Sequence, residues 1–234
     1  MPDDSKRRWS GPKGPSGPTS GRGGEKQRAH HVRTQSSKKW VERQLNDPYV
    51  QRAKAEGWRA RAAFKLIELD EKFALLRPGL RIVDLGAAPG GWAQVVVQKG
   101  AGQLVGIDLL PVDPLPGAHF IQADFLSPGG EAAVMAALGG PPDLVLSDMA
   151  ANTTGHRATD QIKTGALAEA GADFAIRVLK PGGAFVTKAF QGGVDGGLLV
   201  NLKRAFADVR HAKPKASRPE SPEVYVVAKG FRGG

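Results

Sequence analysis

The sequence predicts an α/β domain over residues 40–234, a mostly parallel sheet with helices on both faces, preceded by a basic arm over residues 1–39. Three observations carry that expectation. Apolar runs of strand length alternate with longer stretches of helical spacing, the pattern of a doubly wound sheet. Residues 81–92, Arg-Ile-Val-Asp-Leu-Gly-Ala-Ala-Pro-Gly-Gly-Trp, read as a buried strand running into a glycine turn and then a helix. Three later apolar runs each end in an acid, at Asp108, Asp124 and Asp148.

The elements follow in order. Residues 60–76 form a helix, because Phe64, Leu66, Ile67, Leu69, Phe73, Leu75 and Leu76 recur near helical spacing and Pro78-Gly79 closes the segment. Lys65 sits inside it among apolar neighbours, where a lysine ordinarily snorkels to the surface. Arg52, Lys54, Arg59 and Arg61 make its approach basic. In the turn, Gly86, Gly90 and Gly91 remove Cβ atoms that would hold a ligand off the backbone. It is not the dinucleotide fingerprint: the second glycine of G-x-G-x-x-G is missing, and Pro89 lacks the N–H a pyrophosphate would want. A glycine turn alone is weak evidence, since a purely structural bend has the same form.

A helix over residues 91–99 leads to a second strand at 104–108, ending in Asp108 about twenty residues past the turn, and a third at 119–124, ending in Asp124. Taken singly, each aspartate reads as a loop or helix-capping residue. Behind a glycine turn, the pair favours an adenosine site, Asp108 accepting from a ribose and Asp124 from an amino group. A short helix at 131–138, a buried strand at 143–148 ending in Asp148, a long helix at 161–179 and a fifth strand at 184–190 follow. Lys188 stands out there, since a lysine near the end of a buried strand is costly unless paired or functional. A helix at 198–206 and strands at 209–212 and 223–228 complete the domain, the last two suited to hairpin-like pairing, and Glu223 begins the final strand.

Composition narrows the partners. With 33 basic and 23 acidic side chains the formal charge is +10, which points to a polyanion, although charge also serves solubility alone. Residues 1–39 hold ten basic against three acidic side chains, leaving +7. Gly, Pro and Ser interrupt every periodicity in that arm, so it is expected to be disordered, either drawn to RNA phosphates or merely solubilising. Absence of cysteine excludes disulfides, thiolate metal sites and a cysteine nucleophile. His30, His31, His119, His156 and His211 lack the spacing of helical metal ligands, so no metal is expected. No apolar run is long enough to cross a bilayer, and no secretory signal is visible. Lys38, Lys39, Arg43, Arg52, Arg59 and Arg61 read either as a surface following phosphates or as a solvated helix face.

Asp84-Leu-Gly-Ala-Ala-Pro-Gly-Gly-Trp92, Ser147-Asp-Met-Ala150, Val186-Thr-Lys188 and Glu223-Val-Tyr225 stand in the order of one family. Asn46-Asp-Pro-Tyr49, Arg61-Ala-Ala-Phe-Lys-Leu66, Asp108-Leu-Leu-Pro111 and Phe190-Gln191-Gly192 extend the match. From about Ser37 through Gly230, the chain resembles the FtsJ (RrmJ, RlmE) ribosomal RNA ribose 2′-O-methyltransferases. The resemblance implies a Rossmann-like S-adenosylmethionine-dependent methyltransferase fold, with seven strands, one of them antiparallel. It also implies S-adenosylmethionine as cofactor, with Gly90 and Trp92 lining its methionine side, Asp108 its ribose and Asp124 its adenine, and Asp148 near the sulfonium. The family's Lys-Asp-Lys-Glu tetrad falls on Lys65, Asp148, Lys188 and Glu223. The implied substrate is a uridine of the large-subunit (23S) ribosomal RNA, on the assembled subunit, and the implied protein is a cytoplasmic monomer. Ala151 departs from the proline usual before Asn152, and the N-terminal arm is longer than the family core requires.

On that reading the sulfonium methyl is already activated and the ribose hydroxyl is a poor nucleophile, so the protein supplies in-line placement and help with one proton. Lys188 is the expected base or hydroxyl-orienting group. A Lys65 ammonium would favour its neutral form and Asp148 its charged form, and Glu223 supports. Pyrimidine C5 methylation would need a cysteine, and adenine amino methylation an Asn/Asp-Pro-Pro-aromatic loop in place of Ser147-Asp-Met-Ala-Ala. Transfer-RNA 2′-O-methylation and a non-catalytic RNA-binding ribosome-assembly factor remain as alternatives. An oxidoreductase is disfavoured by the missing dinucleotide turn.

Overall fold

A computed structural model describes residues 46–151, 156–191 and 196–233. The expected arm over residues 1–39 lies outside the described residues, as do Lys38, Lys39, Arg43, His30, His31, Asn152 and Gly192. In chain order the helices are α1 (Pro48–Ala55), α2 (Ala62–Phe73), α3 (Gly91–Gln98), α4 (Gly130–Leu138), α5 (Arg157–Val178) and α6 (Gly196–Ala205). The strands are β1 (Arg81–Leu85), β2 (Gln103–Asp108), β3 (His119–Gln122), β4 (Leu144–Ser147), β5 (Ala184–Phe190), β6 (Phe206–Ala212) and β7 (Glu223–Phe231).

The seven strands lie in the order β3-β2-β1-β4-β5-β7-β6. β1 to β5 pair in parallel, while β7 runs antiparallel to both β5 and β6. The strand order reverses between β1 and β4, which makes the carboxyl end of β1 the switch point where open α/β sheets bind ligands.

Strand alternation sorts the side chains into two cores. Val83, Leu85, Val105, Ile107, Val145, Phe185 and Val226 face one way and pack under α4, α5 and α6 through Val134, Leu138, Phe174, Ala175 and Leu202. Ile82, Leu104, Leu144, Leu146, Val186, Tyr225 and Val227 face the other way and pack under α2 and α3 through Leu66, Leu69, Trp92 and Val96. Even-numbered positions of β1, β2, β4 and β5 thus share the face under α2 and α3, so Asp84, Asp108 and Lys188 belong to it by parity, and Asp148 follows directly after β4.

Several expected boundaries shift. β3 ends at Gln122, leaving Asp124 in the following turn, and β7 runs three residues beyond the expected end to Phe231. β6 starts at Phe206, three residues before the expected strand, and α5 starts at Arg157, a turn before the expected residue 161. Helix α1 is absent from the sequence expectation, although its start is written in Asp47-Pro48. Asp47 caps it by accepting from Tyr49 N at 3.0 Å, with Pro48 in the first turn.

Phe174 is fully buried and meets Phe125 edge-on at 5.3 Å between ring centroids. Phe174→Ala is expected to cost about 3–5 kcal/mol in urea-induced unfolding, and a loss below about 1 kcal/mol would show that this core collapses freely around the gap.

Candidate active site

At the switch point the backbone makes close approaches that glycine permits. Gly86 has φ +80°, and a Cβ there would lie 2.9 Å from the Met149 backbone, so the chain leaving β4 passes directly over the β1 turn. Gly90 has φ +100° and caps α3, and a Cβ there would stand 2.6 Å from Arg59 Nη1. The first-turn N–H groups of α3, including that of Trp92, therefore face the turn without an intrahelical acceptor.

A cavity of about 410 Å³ opens beside this turn, lined by Gly86, Asp108, Asp124, Phe125, Met149 and Lys163 among others. Of the residues expected at the cofactor, Asp108 and Asp124 form its wall, whereas Gly90, Trp92 and Asp148 are off its lining. Asp108 accepts from Ala88 N at 2.9 Å and Leu110 N at 2.8 Å, one bond on each oxygen, which locks the carboxylate and leaves a lone pair on each oxygen for a ligand. Asp124 is exposed and accepts from Leu126 N at 2.9 Å. Trp92 spends its side chain on structure, donating its indole N–H to Ala62 O at 2.8 Å and packing 5.7 Å from the Tyr225 ring, so only its backbone can serve the turn.

The four tetrad positions converge. Lys65 of α2 places Nζ 2.8 Å from both carboxylate oxygens of Glu223 and 3.2 Å from the Tyr225 hydroxyl. That hydroxyl donates to Asp148 Oδ1 at 2.7 Å. Lys188 of β5 donates to the Asp148 carbonyl at 2.7 Å and pairs with Oδ1 at 3.2 Å. Ser217 donates to the second Glu223 oxygen at 2.7 Å. The Lys188 side chain is 7% exposed and that of Lys65 12%. Two amines from distant segments thus meet through one carboxylate and one phenol.

Burial works to raise the Asp148 carboxyl. The Lys188 and Lys65 ammonium groups and the hydrogen bonds from Tyr225 and Lys188 outweigh it and hold the carboxyl below the usual range. Burial, then the charges of Asp148 and Glu223, push the Tyr225 phenol well above its ordinary value, so Tyr225 remains a donor.

Tyr225 is the member that the sequence reading left without a role, though two residues after Glu223 on one strand puts both on the same face. The basic approach is also less available than expected. Arg61 pairs with Asp47 and donates to Ala216 O, while Arg59 donates to the carbonyls of Asp113 and Pro114 at 2.7 Å each. Arg52 bonds Glu56 at 2.6 Å and stacks over Phe64. No helix among the described residues is long and apolar enough to cross a membrane.

A seven-stranded sheet with β7 reversed, a glycine turn at its switch point and carboxylates at the strand ends define an α/β methyltransferase. The sequence pattern of the FtsJ-like methyltransferases matches residues 58–231, and the chain belongs to that family. It is 56% identical over 234 residues to "Ribosomal RNA large subunit methyltransferase E" of Hyphomonas neptunium, covering 99% of this chain and 100% of that protein. It is 61% identical over 197 residues to the protein of the same name from Acidiphilium cryptum, covering 84% and 88%. Among solved structures, one described as a ribosomal RNA methyltransferase of Plasmodium falciparum superposes with a TM-score of 0.67 at 31% identity, covering 76% of this chain and all of that one.

Because Asp148 is held below the ordinary carboxyl value, its stabilising contribution is present above about 4 and is lost as pH falls through the lower folded value. Asp148→Asn is therefore expected to be less stable than the parent at pH 7 by an amount that stays level down to about pH 5 and shrinks below about 4. Paired denaturation curves across pH check this, and a gap unchanged down to about pH 3 would mean that the ion pairs and hydrogen bonds do no more than offset burial of the carboxyl.

Proposed function

We propose that this protein transfers a methyl group from S-adenosylmethionine to the ribose 2′-hydroxyl of a uridine in large-subunit (23S) ribosomal RNA, acting on the assembled subunit. The observation that carries this reading is the meeting of Lys65 and Lys188 on Asp148 and Tyr225 at the switch point, a few residues from the glycine turn. The names of the relatives favour ribosomal RNA as substrate.

The cavity fits the adenosine part of the cofactor. Its volume of about 410 Å³ falls within the range of small-molecule sites, and its apolar wall is broken by the two carboxylates. Asp108 would hold the ribose and Asp124 the adenine amino group, while Gly90 and Trp92 would offer backbone to the methionine part and Asp148 would lie near the sulfonium. When bound, the cofactor supplies a methyl group made electrophilic by the adjacent sulfonium.

The chain's own residues manage the other reactant. Lys188, fixed by two contacts to Asp148, orients the incoming hydroxyl and accepts its proton when the amine is neutral. Asp148 anchors that amine and is itself anchored by Tyr225. Lys65, held by Glu223 and Tyr225, presents positive charge where the sugar oxygen develops negative charge. Glu223, fixed by Ser217, keeps Lys65 in place. Residues 1–39, with their excess of basic side chains, add sequence-independent attraction to RNA phosphates.

Mapping ribose methylation on ribosomal RNA by mass spectrometry, with and without the protein, is expected to show the loss of one 2′-O-methyluridine. An unchanged map defeats the reading, and labelled methyl on transfer RNA would move the substrate there. Lys188→Ala is expected to lower methyl transfer at least about a hundredfold while cofactor still binds. Lys188→Arg separates the two roles, because a guanidinium stays protonated: partial activity marks orientation, and an inactive variant marks proton transfer. Near-normal turnover of the alanine variant would overturn the assignment.

A further inference from the structure

Asp84 takes no part in the proposed reaction, and packing does not account for it. It occupies the fourth position of β1, is 1% exposed, and neither carboxyl oxygen has a hydrogen-bond partner among the described residues. Buried polar groups are almost always satisfied, and those left unpaired call for a reason. Its strand neighbours in register are Gly106 and Leu146, which offer no polar side chain.

The charged groups on the same face are otherwise engaged. α3 carries no ionisable residue. Lys65 of α2 is held by Glu223 and Tyr225, Lys188 of β5 is held by Asp148, and Arg59 before α2 donates to Asp113 and Pro114. Burial, and after it the negative charges of Asp148 and Asp108 at the ends of the flanking strands, push the Asp84 carboxyl up to about 8. In the free protein at neutral pH it is therefore mostly protonated.

We propose that Asp84 is a switchable counter-charge for the cradle, releasing its proton to solvent when a sulfonium ligand arrives and regaining one when the uncharged thioether remains. The inference rests on the cofactor reading above. Asp84 lies two residues before Gly86, which lines the cavity, and is close enough to Asp108 and Asp148 for their charges to bear on it. A cation in that cradle offsets the same field with opposite sign, and the low dielectric of a buried site carries the effect across several ångströms. The consequence is discrimination: the positively charged donor gains an ionised partner, and the neutral-sulfur product does not. Asp84 is thus a positioning residue acting through charge on the bound donor.

Calorimetric titration of the full chain at pH 7 in two buffers of different ionisation enthalpy counts the protons exchanged. S-adenosylmethionine is expected to release close to one proton per site, S-adenosylhomocysteine markedly fewer, and Asp84→Asn is expected to abolish the difference. Equal heats in both buffers, or an unchanged proton count in Asp84→Asn, would overturn the inference while leaving the cofactor reading intact, whereas no binding of either ligand would overturn both. Stability of the ligand-free protein gives a second readout. A carboxyl raised in the fold stabilises fully below its ordinary value and loses that contribution as pH rises through the folded value. The stability of the parent relative to Asp84→Asn should therefore fall from about pH 4 to about pH 8 and level off above. A pH-independent difference would count against the switch even where the variant's binding cannot be measured.

Discussion

The antiparallel pairing of β7 with β5 decides whether a site exists at all. In register, Lys188 lies opposite Tyr225 and Phe190 opposite Glu223, and side chains directly across an antiparallel pair share a face. That face is the one covered by α2, so Lys65 descends onto Tyr225 and Glu223 from above. Were β7 to slip by one residue, both groups would turn to the face under α5 and α6, and Lys65 and Lys188 would lose the phenol that links them through Asp148. The buried apolar residues Val226 and Ala228 on one side, and Tyr225 and Val227 on the other, make such a slip costly along the whole strand. Core packing thereby sets the chemistry's geometry.

Keeping two lysines, an aspartate, a glutamate and a phenol in this partly buried position has a thermodynamic cost, because desolvation of ion pairs offsets much of their attraction. The arrangement limits that cost by satisfaction. Asp148 receives Tyr225 and Lys188, and Glu223 receives Lys65 and Ser217. Such a network favours placement over stability: each amine is held in one position relative to the switch point, and removing either member of an ion pair leaves a buried charge unpaired.

How much of this was legible in the sequence differs by residue. β5 spans the expected residues 184–190, because its apolar run is bounded by Pro181-Gly182-Gly183 on one side and carries Lys188 as a visible anomaly. Asp124 was assigned to a strand end and lies in the turn beyond it, since period-two alternation does not say where ladder pairing stops. Helix α1 was missed because its apolar content is slight and its cap, rather than its face, defines it. Motif order named Lys65, Asp148, Lys188 and Glu223, which the fold brings together, but Tyr225 as their link was not legible, since its place depends on register between strands distant in sequence. The basic approach misled in the opposite direction: Arg59 and Arg61 read as surface charge and instead tie the α1–α2 connection to Asp113, Pro114, Asp47 and Ala216.

Charge in this chain is divided by purpose. Residues 1–39 hold ten basic and three acidic side chains, so the remaining 195 residues keep twenty-three basic against twenty acidic, only +3 of the total +10. Within the domain, carboxylates gather at strand ends around the glycine turn, while Lys65 and Lys188 are each paired with an acid. The proposed reaction pairs a polyanion with a cationic methyl donor, which need opposite fields that one surface cannot both present strongly. With only +3 in the domain, the strand-end carboxylates are less opposed than an even spread of the +10 would leave them. The uneven spread of charge along the sequence thus suits the pair of oppositely charged reactants in the proposed reaction.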